Sequence, residues 1–532
     1  MRTLHMALAS LVVLASTHGC DWVEGSGGRS SVRSAGDAQT LLVGRPADVI
    51  GLDPARRSDN ESIEVTEQIF EHLVRFKRDS NEIEPDLATH WEVADSGRQW
   101  TFHLRDGVRF HDGTALDADA VVFSFERQMR EDHPYFSPDY SYWHSTYANI
   151  LRIEKLDRLT VRLDIEKGYA PFLANLAMFP ASIVSPSAMK RLGLAGFERA
   201  PVGTGPFRFV TWLPGDRVVL ERNDGYWGGA PLLKRLVFRV LPDPRQRLKA
   251  LESGALDVAY NILPEELQFV SLHPDLRLLH IPGNNVAYLA MNTQHPPFDD
   301  VVVRRAVNRA IHKNPIVRLN YQGNGRIAYG PLPPGMLGDR GAVEDYPYDP
   351  ARASAELKSV NFDFSKHFRL YVMNTPRPYL PNPTQVARVI RRQLAEIGVQ
   401  LDIVENNMEE HLRATQNGEH DLCLLGWSGD NGDPDNFMYV LLSSANAVPG
   451  SARNVAFLQN PGLDGLLTWA QTTNVLEERA GYYRLAQEIV AREAPWVPLA
   501  HSEVAIATRN DVEGVKLHPS TIVYYRDVWL NR

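Results

Sequence analysis

The sequence predicts an α/β fold, and three observations support this. The chain has 532 residues, which is too many for one hydrophobic core and indicates roughly two to four domains. Its composition, 44% hydrophobic and 23% charged, is that of a globular protein. Strand-like and helix-like patterns alternate along the chain without an internal repeat. Strands separated by helices form α/β layers rather than an all-β or all-α fold.

The charge balance argues against one class of partner. The net charge of −9 arises from 65 acidic and 56 basic side chains. A protein that binds nucleic acid needs a basic face to meet the phosphates. The sequence therefore predicts no nucleic-acid partner.

The first twenty residues have the pattern of a secretory signal peptide. Arg2 and His5 precede an apolar run at 6–15, and small residues then lead to Gly19 and Cys20. The apolar run is too short to span a bilayer. No other window reaches the roughly 18 apolar residues that a membrane helix needs. We therefore expect an exported chain whose body lies on the far side of a membrane.

Cys20 resembles the lipidated cysteine of a bacterial lipobox. Thr17 and His18 stand where such boxes carry an aliphatic and a small residue, so the match is irregular. Residues 21–39 are rich in Gly and Ser and predict a flexible tether, which suits a lipid anchor and an unanchored N-terminus equally. Lipidated Cys20 would be the one membrane contact. The other cysteine, Cys423, lies in an apolar run and is predicted to be buried, without a disulfide partner.

The first elements of the body follow from short apolar patterns. Residues 41–43 are Leu-Leu-Val and predict a strand, and residues 64–76 have helical spacing. Residues 100–104 and 108–110 alternate as strands. Asp106-Gly107 between them is a turn signal, so the pattern predicts a hairpin.

The next elements come from a cap and two alternating stretches. Asp117 precedes an apolar helical pattern that runs to about residue 130, and it is a favoured N-cap. Residues 151–165 alternate apolar and polar side chains and predict strands. Residues 207–220 read as a hairpin whose turn is Pro214-Gly215-Asp216.

The last elements are helix and strand units. A helix at 244–252 is followed by a strand at 256–260. A second helix begins at Thr384 and keeps helical apolar spacing to residue 397. Gly398 then predicts its C-terminal stop, and residues 399–403 alternate as a strand.

Sequence signatures of catalysis, metal binding and cofactor binding are missing. Gly426-Trp427-Ser428-Gly429 lacks the G-x-S-x-G spacing of a nucleophile serine because its second glycine comes one residue early. The 17 histidines are scattered without a metal motif, and no P-loop is found. We expect no enzyme activity, no cofactor and no metal. An exported serine hydrolase using Ser428 remains a remote alternative, since no His and acid partner can be assigned.

Two polar segments follow predicted strands. Residues 430–436, Asp-Asn-Gly-Asp-Pro-Asp-Asn, come directly after the apolar run 422–427. They lack the glycine and terminal Glu of a calcium loop and read either as a turn or as a ligand site at a strand end. Arg377, in Pro-Arg-Pro-Tyr, likewise follows a predicted strand at 369–373. It is either a solvated loop residue or part of the same site.

The two charges suit a zwitterionic ligand. Asp430 could accept hydrogen bonds from an ammonium group, and Arg377 could hold a carboxylate with two parallel hydrogen bonds. A short peptide carries both groups.

Several motifs, spread over nearly the whole chain from about residue 40, resemble the family-5 extracellular solute-binding proteins and, within them, the dipeptide-binding proteins of Gram-negative bacteria. The motifs are Glu84-Pro85-Asp86-Leu87-Ala88, Trp91-Glu92-Val93, residues 102–113, Pro201–Phe207, Asn223–Trp227 and residues 426–437. The last of these and Arg377-Pro378-Tyr379 point to the dipeptide binders.

The resemblance implies a bilobal periplasmic binding protein, type II-like and of cluster C, with an extra subdomain inserted in the first lobe. The expected parts are lobe I at 40–282 with the insertion at about 75–200, lobe II at 283–500, and a C-terminal return to lobe I at 501–532. A ligand would be enclosed by hinge closure.

The resemblance also implies roles for residues and partners. Asp430 matches the residue that binds the peptide ammonium, and Arg377 matches the one that binds its carboxylate. The residues expected to flank the ligand are Trp427, Ser428 and Gly429, whose backbone could pair with it as an added strand, together with Tyr379 and Tyr142. The protein is expected to be a periplasmic monomer that delivers short peptides to an inner-membrane ABC permease. Haem, glutathione or antimicrobial peptides are alternative ligands within the same family.

Overall fold

The computed structural model describes residues 38–140 and 142–532. The predicted signal peptide 1–20, the lipobox residue Cys20 and residues 21–37 of the predicted tether lie outside these described residues. Within them, no helix combines the length and the apolarity that crossing a bilayer requires.

The described residues form an α/β structure. The strands are β1 (Thr40–Arg45), β2 (Val74–Phe76), β3 (Ile83–Pro85), β4 (Ala88–Ala94), β5 (Gln99–Leu104), β6 (Ile150–Asp157), β7 (Thr160–Ile165), β8 (Phe207–Leu213), β9 (Arg217–Arg222), β10 (Arg235–Val240), β11 (Val258–Tyr260), β12 (Leu276–Pro282), β13 (Asn285–Met291), β14 (Gly325–Ile327), β15 (His367–Met373), β16 (Gln400–Asn406), β17 (Leu422–Ser428), β18 (Trp496–Arg509), β19 (Val512–Glu513) and β20 (Trp529–Leu530). The helices are α1 (Asn60–Ile69), α2 (Ala118–Met129), α3 (Phe172–Asn175), α4 (Pro186–Phe197), α5 (Pro244–Glu252), α6 (Leu267–Leu272), α7 (Val301–Ala310), α8 (Lys313–Tyr321), α9 (Pro350–Ser359), α10 (Pro383–Glu396), α11 (Met408–Gln416), α12 (Asp435–Leu442), α13 (Pro461–Thr472) and α14 (Leu476–Glu493).

The largest sheet is divided between two lobes by the long strand β18. The first residues of β18 pair antiparallel with β13, and its last residues pair with β11 and β12. Beyond β13 the order continues β17, β15, β16, and beyond β11 it continues β1, β10, β9, β8. The fold is therefore the bilobal α/β architecture that the resemblance implies. The residue limits given above for the lobes stay a prediction.

Each half of this sheet has its own hydrophobic core. In the half that holds β13, every residue of that strand is buried, and because successive side chains point to opposite faces, both faces of the sheet are covered there. Helix α10 covers this half with Val386, Ile390 and Leu394, which recur every four residues and are fully buried. Gly398, with φ +88°, turns the chain from α10 into β16.

A third core belongs to a separate four-stranded sheet with the order β4-β5-β7-β6. Its strands alternate, so that Trp100, Phe102 and Leu104 of β5 face the core while their neighbours face outward. Helix α2 packs against this sheet. It begins after Asp117, whose carboxylate accepts a hydrogen bond from the Ala120 N–H at 3.1 Å.

Most predicted elements are confirmed. They are the strand at 41–43, the helix capped by Asp117, the strands within 151–165, the hairpin at 207–220, the helix at 244–252, the strand ending at Tyr260, the helix begun near Thr384 with its Gly398 stop, and the strands at 369–373, 399–403 and 422–427.

Two predicted elements are wrong. The helix predicted at 64–76 begins earlier, at the Asp59 cap, and ends at Ile69, because Val74 and Phe76 are drawn into strand β2 by the third core. Of the hairpin predicted at 100–104 and 108–110, the first strand is confirmed as β5, but residues 108–110 do not pair with it as a second strand. Both edges of β5 are already occupied by β4 and β7.

Candidate functional site

The candidate site lies where two neighbouring parallel strands end. Strands β15 and β17 pair in parallel, with Leu370 opposite Leu422 and Tyr371 opposite Cys423. Residues 374–382, here called the Arg377 loop, follow β15, and residues 429–436, here called the Asp430 loop, follow β17 and reach into the start of α12. Because the two strands run in the same direction, both loops leave the sheet at the carboxyl ends of its strands.

Asp430 lies in a mixed electrostatic environment. The residue is exposed, yet neighbouring protein atoms partly desolvate its carboxylate, and this desolvation raises its pKa. The Arg453 guanidinium and a hydrogen bond from the Tyr142 hydroxyl act in the opposite direction and lower that pKa. Among the described residues Asp430 forms no ion pair within 4.0 Å. Its charge is therefore available to a cationic group of a ligand.

The far half of β17 has an open backbone edge. Strand β15 accompanies β17 only as far as Cys423. The His411 Nε2–H donates to the Leu424 carbonyl at 3.0 Å, so the polar groups of Leu424 point away from β13. The backbone N–H and C=O groups of successive residues point to opposite sides of a strand. Those of Gly426 and Ser428 therefore point away from β13, as those of Leu424 do. An extended ligand backbone can add there as a further strand.

Trp427 and Gly429 are fixed in place around this edge. The Trp427 indole N–H donates to Asn436 Oδ1 at 2.7 Å, and the Arg453 guanidinium lies 5.7 Å from the centre of its ring. The Gly429 N–H donates to the Asn284 carbonyl at 2.8 Å. A Cβ at Gly429 would lie 2.5 Å from the Phe437 ring, so a larger residue cannot fit without moving that ring.

Arg377 and Tyr379 differ in exposure although they are two residues apart. Arg377 is exposed, and its backbone exchanges hydrogen bonds with Leu380 at 3.1 and 2.9 Å. Tyr379 is buried, its ring lies against the Cα of Gly426, and its carbonyl accepts a hydrogen bond from the Tyr321 hydroxyl at 2.5 Å. The Tyr379 hydroxyl also hydrogen-bonds the Arg377 side chain. The guanidinium is thus directed by a buried ring while remaining open to solvent.

The far end of the Asp430 loop is held by buried and partly buried polar contacts. Asp433 accepts two hydrogen bonds from Arg479, at 2.8 and 2.9 Å, and both side chains are almost fully buried. Asp435 accepts from the Tyr169 hydroxyl at 3.0 Å and from Gln471 Nε2 at 2.9 Å. Burial, with the neighbouring Asp433 carboxylate, raises the pKa of Asp435 to about 7.

These contacts decide what the acidic segment 430–436 does. Asp433 and Asp435 are buried and each accepts at least two hydrogen bonds from protein donors, whereas the exposed Asp430 accepts a hydrogen bond from Tyr142. The segment is therefore a braced turn that leaves Asp430 as its available carboxylate, and neither a calcium loop nor a loose turn.

Several residues of the site could not be found from the sequence. Arg453, Arg479 and Tyr169 lie far from residues 430–436 along the chain and belong to no motif. Only the folded chain brings them to the Asp430 loop. Tyr142, by contrast, was predicted from the resemblance, and the structure places its hydroxyl on Asp430.

Two further predictions concern the chemistry of Cys423 and Ser428, which both lie on β17. Cys423 is fully buried as expected, and its burial raises the pKa of the thiol. Ser428 is exposed at the end of β17, and within the described residues no histidine hydrogen-bonds to it.

Comparison with known proteins gives a consistent family. A sequence profile of the bacterial extracellular solute-binding proteins, family 5 Middle, matches residues 82–448. The heme-binding protein A of Haemophilus influenzae is 36% identical over 519 residues, covering 94% of this chain and 93% of that protein. The dipeptide-binding protein of Escherichia coli is 34% identical over 505 residues, covering 92% and 94%.

Solved structures agree with the sequence relatives. HbpA2 from Haemophilus parasuis superposes with a TM-score of 0.88 at 32% identity, covering 92% of this chain and 99% of that one. The dipeptide-binding protein of Pseudoalteromonas sp. SM9913, in complex with Met-Leu, gives a TM-score of 0.75 at 29% identity and covers 92% and 100%.

Proposed function

The chain belongs to family 5 of the bacterial extracellular solute-binding proteins, and from this we propose that it captures short peptides, foremost dipeptides, for an ABC importer. It binds its ligand by hinge closure in the periplasm and delivers it, as a monomer without enzyme activity, to an inner-membrane permease. Lipidation at Cys20 would tether it to a membrane.

One observation carries the proposal: Asp430 and Arg377 follow neighbouring parallel strands and lie at the same, carboxyl-terminal end of those strands. Within the described residues neither side chain has an ion-pair partner within 4.0 Å. A zwitterionic peptide supplies both missing partners. Its ammonium group would meet Asp430, with Tyr142 as a neighbour, and its carboxylate would meet Arg377.

The open edge of β17 supports the same ligand. A peptide that pairs with the backbone of Gly426 and Ser428 would make main-chain hydrogen bonds that do not depend on its side chains. Trp427 and Gly429 would flank it, and the buried Tyr379 would direct Arg377. This combination supports binding of peptides with varied sequences.

Two charged anchors also favour one peptide length. An extended chain advances by about 3.3–3.6 Å per residue. An added residue therefore moves the carboxylate by that distance relative to an ammonium held at Asp430. The carboxylate of a longer peptide would therefore meet Arg377 only if the exposed Arg377 loop moved with it, so a dipeptide is the expected favourite by a modest margin.

Haem is the second candidate ligand, and a specific observation favours it: one relative, 36% identical, is a heme-binding protein. Haem carries carboxylates that could meet Arg377, but it has no ammonium group for Asp430. Glutathione and antimicrobial peptides, in contrast, keep an amino group and remain peptide-like ligands of the same site.

Isothermal titration calorimetry with a matched ligand set tests the proposal. The set is Ala-Phe, N-acetyl-Ala-Phe, Ala-Phe amide, glutathione and haem. Ala-Phe should bind with one site per chain, and acetylation of its amine should weaken binding by about 100-fold, roughly 3 kcal/mol, because Asp430 then faces no cation.

Two outcomes would contradict the proposal. Equal affinity for the free and the acetylated dipeptide would remove the role of Asp430. Haem binding without any peptide binding would replace the peptide by the second candidate.

A further inference from the structure

A group of potential metal ligands lies on the four-stranded sheet, away from the site proposed above. Strands β4 and β5 pair so that His90 stands opposite His103. Glu92 lies two residues beyond His90 on the same strand, and side chains two residues apart share a face. The opposite face of these strands carries Trp91 and Phe102, which pack together against the subdomain core. The three polar side chains therefore share the outer, solvent-facing side.

The side chains are already close to one another. One ligand atom from each of His90, Glu92 and His103 lies within 4.8 Å of those of the other two. The imidazole rings stack with centroids 4.2 Å apart and an angle of 7° between their planes. Two nitrogens bound to a tetrahedral Zn²⁺ at 2.0–2.1 Å are separated by roughly 3.3 Å. Because an imidazole binds a metal ion in the plane of its ring, the two rings must also turn out of their parallel stack before both nitrogens can bind one ion.

The hydrogen bonds of Thr89 set the tautomer of His90. The Thr89 hydroxyl donates its single proton to the His103 carbonyl at 3.1 Å, and its oxygen lies 3.0 Å from His90 Nδ1. The hydroxyl must therefore accept a hydrogen bond from Nδ1–H. This leaves the lone pair on His90 Nε2. A hydrogen bond that holds one ring nitrogen and frees the other is the usual support of a metal-binding histidine.

His103 provides an independent observation. Its Nε2 is covered by protein and makes no hydrogen bond within the described residues. Glu92 Oε1 lies 3.5 Å from this nitrogen without hydrogen-bonding geometry. A covered polar nitrogen without a partner is unfavourable. A metal ion between the three side chains would give this nitrogen a ligand bond.

We propose that His90, His103 and Glu92 form a binding site for one divalent transition-metal ion of the Zn²⁺, Ni²⁺ or Cu²⁺ class. Two imidazoles select such ions over Ca²⁺ and Mg²⁺, which prefer oxygen ligands. Water completes the coordination because the sheet face is open. The sequence contains no motif for this site, because its residues lie on two strands and come together only when β4 pairs with β5.

The site is independent of the proposed peptide site, which lies on the twelve-stranded sheet.

The test uses the protein purified without a histidine tag. Titration with Zn²⁺ should give one ion per chain. His90→Gln and His103→Gln should each weaken binding by at least about 10-fold, since each removes a direct ligand, and Thr89→Val should weaken it less. With Cu²⁺, electron paramagnetic resonance should show coupling to two imidazole nitrogens.

His367→Gln is the matched control, because His367 is also an exposed strand histidine with a carboxylate neighbour, Asp402, but lies outside the cluster. It should leave Zn²⁺ binding unchanged. Unfolding midpoints of all variants should agree with that of the unmodified protein, which separates ligand loss from misfolding. Absence of Zn²⁺ binding overturns the proposal. Binding that persists unchanged in both His90→Gln and His103→Gln also overturns it.

Discussion

The two loops that carry the candidate site are held in different ways. The Asp430 loop is braced at its far end by buried contacts with Arg479 and Gln471 and by a partly buried one with Tyr169. The Arg377 loop is mostly exposed and is held by the buried ring of Tyr379 and one backbone exchange with Leu380. A braced acidic arm fixes where a ligand's ammonium group must lie. An exposed basic arm leaves the position of the carboxylate adjustable, so we expect strict recognition of one peptide end and tolerant recognition of the other.

Arg479→Met removes the brace of the Asp430 loop and should have the largest effect. The Asp433 carboxylate would then be buried without its partner, which costs about 3–5 kcal/mol of unfolding free energy. Urea denaturation measures this loss. Arg484→Met, on the same helix α14 but at an exposed pair with Glu477, should cost at most about 1 kcal/mol. Similar losses in both variants would show that the brace does not stabilise the loop.

Asp430→Asn tests the functional end of the same loop. We expect Ala-Phe affinity to fall by about 100-fold, roughly 3 kcal/mol, without loss of stability, because Asp430 is not part of the brace. The acetylated dipeptide should bind the variant and the unmodified protein alike. Asp402→Asn, an exposed carboxylate on β16 of the same sheet, is the control and should bind Ala-Phe normally. An equal loss for both peptides would assign the effect to the loop's shape instead of to the ammonium contact.

Asp435→Asn tests the brace through its pH dependence. The folded-state pKa of Asp435 is raised to about 7 from an ordinary 3.8, so the folded state retains a proton that the unfolded state has released. Its contribution to stability is fully present below about pH 4 and declines as the pH rises to about 7. The unfolding free energy of the unmodified protein, relative to Asp435→Asn, should therefore fall by about 2 kcal/mol between pH 5 and pH 7.

The control for this pH dependence is Asp299→Asn, at an exposed position. Its stability curve should run parallel to that of the unmodified protein over the same pH range. A parallel curve for Asp435→Asn as well would show that Asp435 is ionised in the folded protein throughout that range.

The difference between the loops also marks what the sequence could predict. Strand ends are readable from apolar runs, so Arg377 and Asp430 could be placed after strands, and strand ends are where α/β proteins bind ligands. The sequence does not predict the contacts of Arg479 and Tyr169 with the Asp430 loop, because these residues reach the loop only through long-range packing. The two wrong elements have the same cause. The predictions for residues 64–76 and 108–110 rest on local apolar spacing, but contacts with distant parts of the chain determine the conformation of both segments.

Arg377→Gln tests the exposed arm and should have the smallest effect on affinity. Because Arg377 is solvated before binding and its loop can adjust, we expect a loss of about 10-fold for Ala-Phe, roughly 1.4 kcal/mol. Ala-Phe amide should bind the unmodified protein that much more weakly and should lose nothing further in the variant. Arg369→Gln, on β15 beside Asp421, controls for loss of a nearby surface charge and should bind normally. If Arg377→Gln instead weakened binding as strongly as Asp430→Asn does, the basic arm would be as rigid as the braced one, and the expected tolerance at the carboxylate end would be wrong.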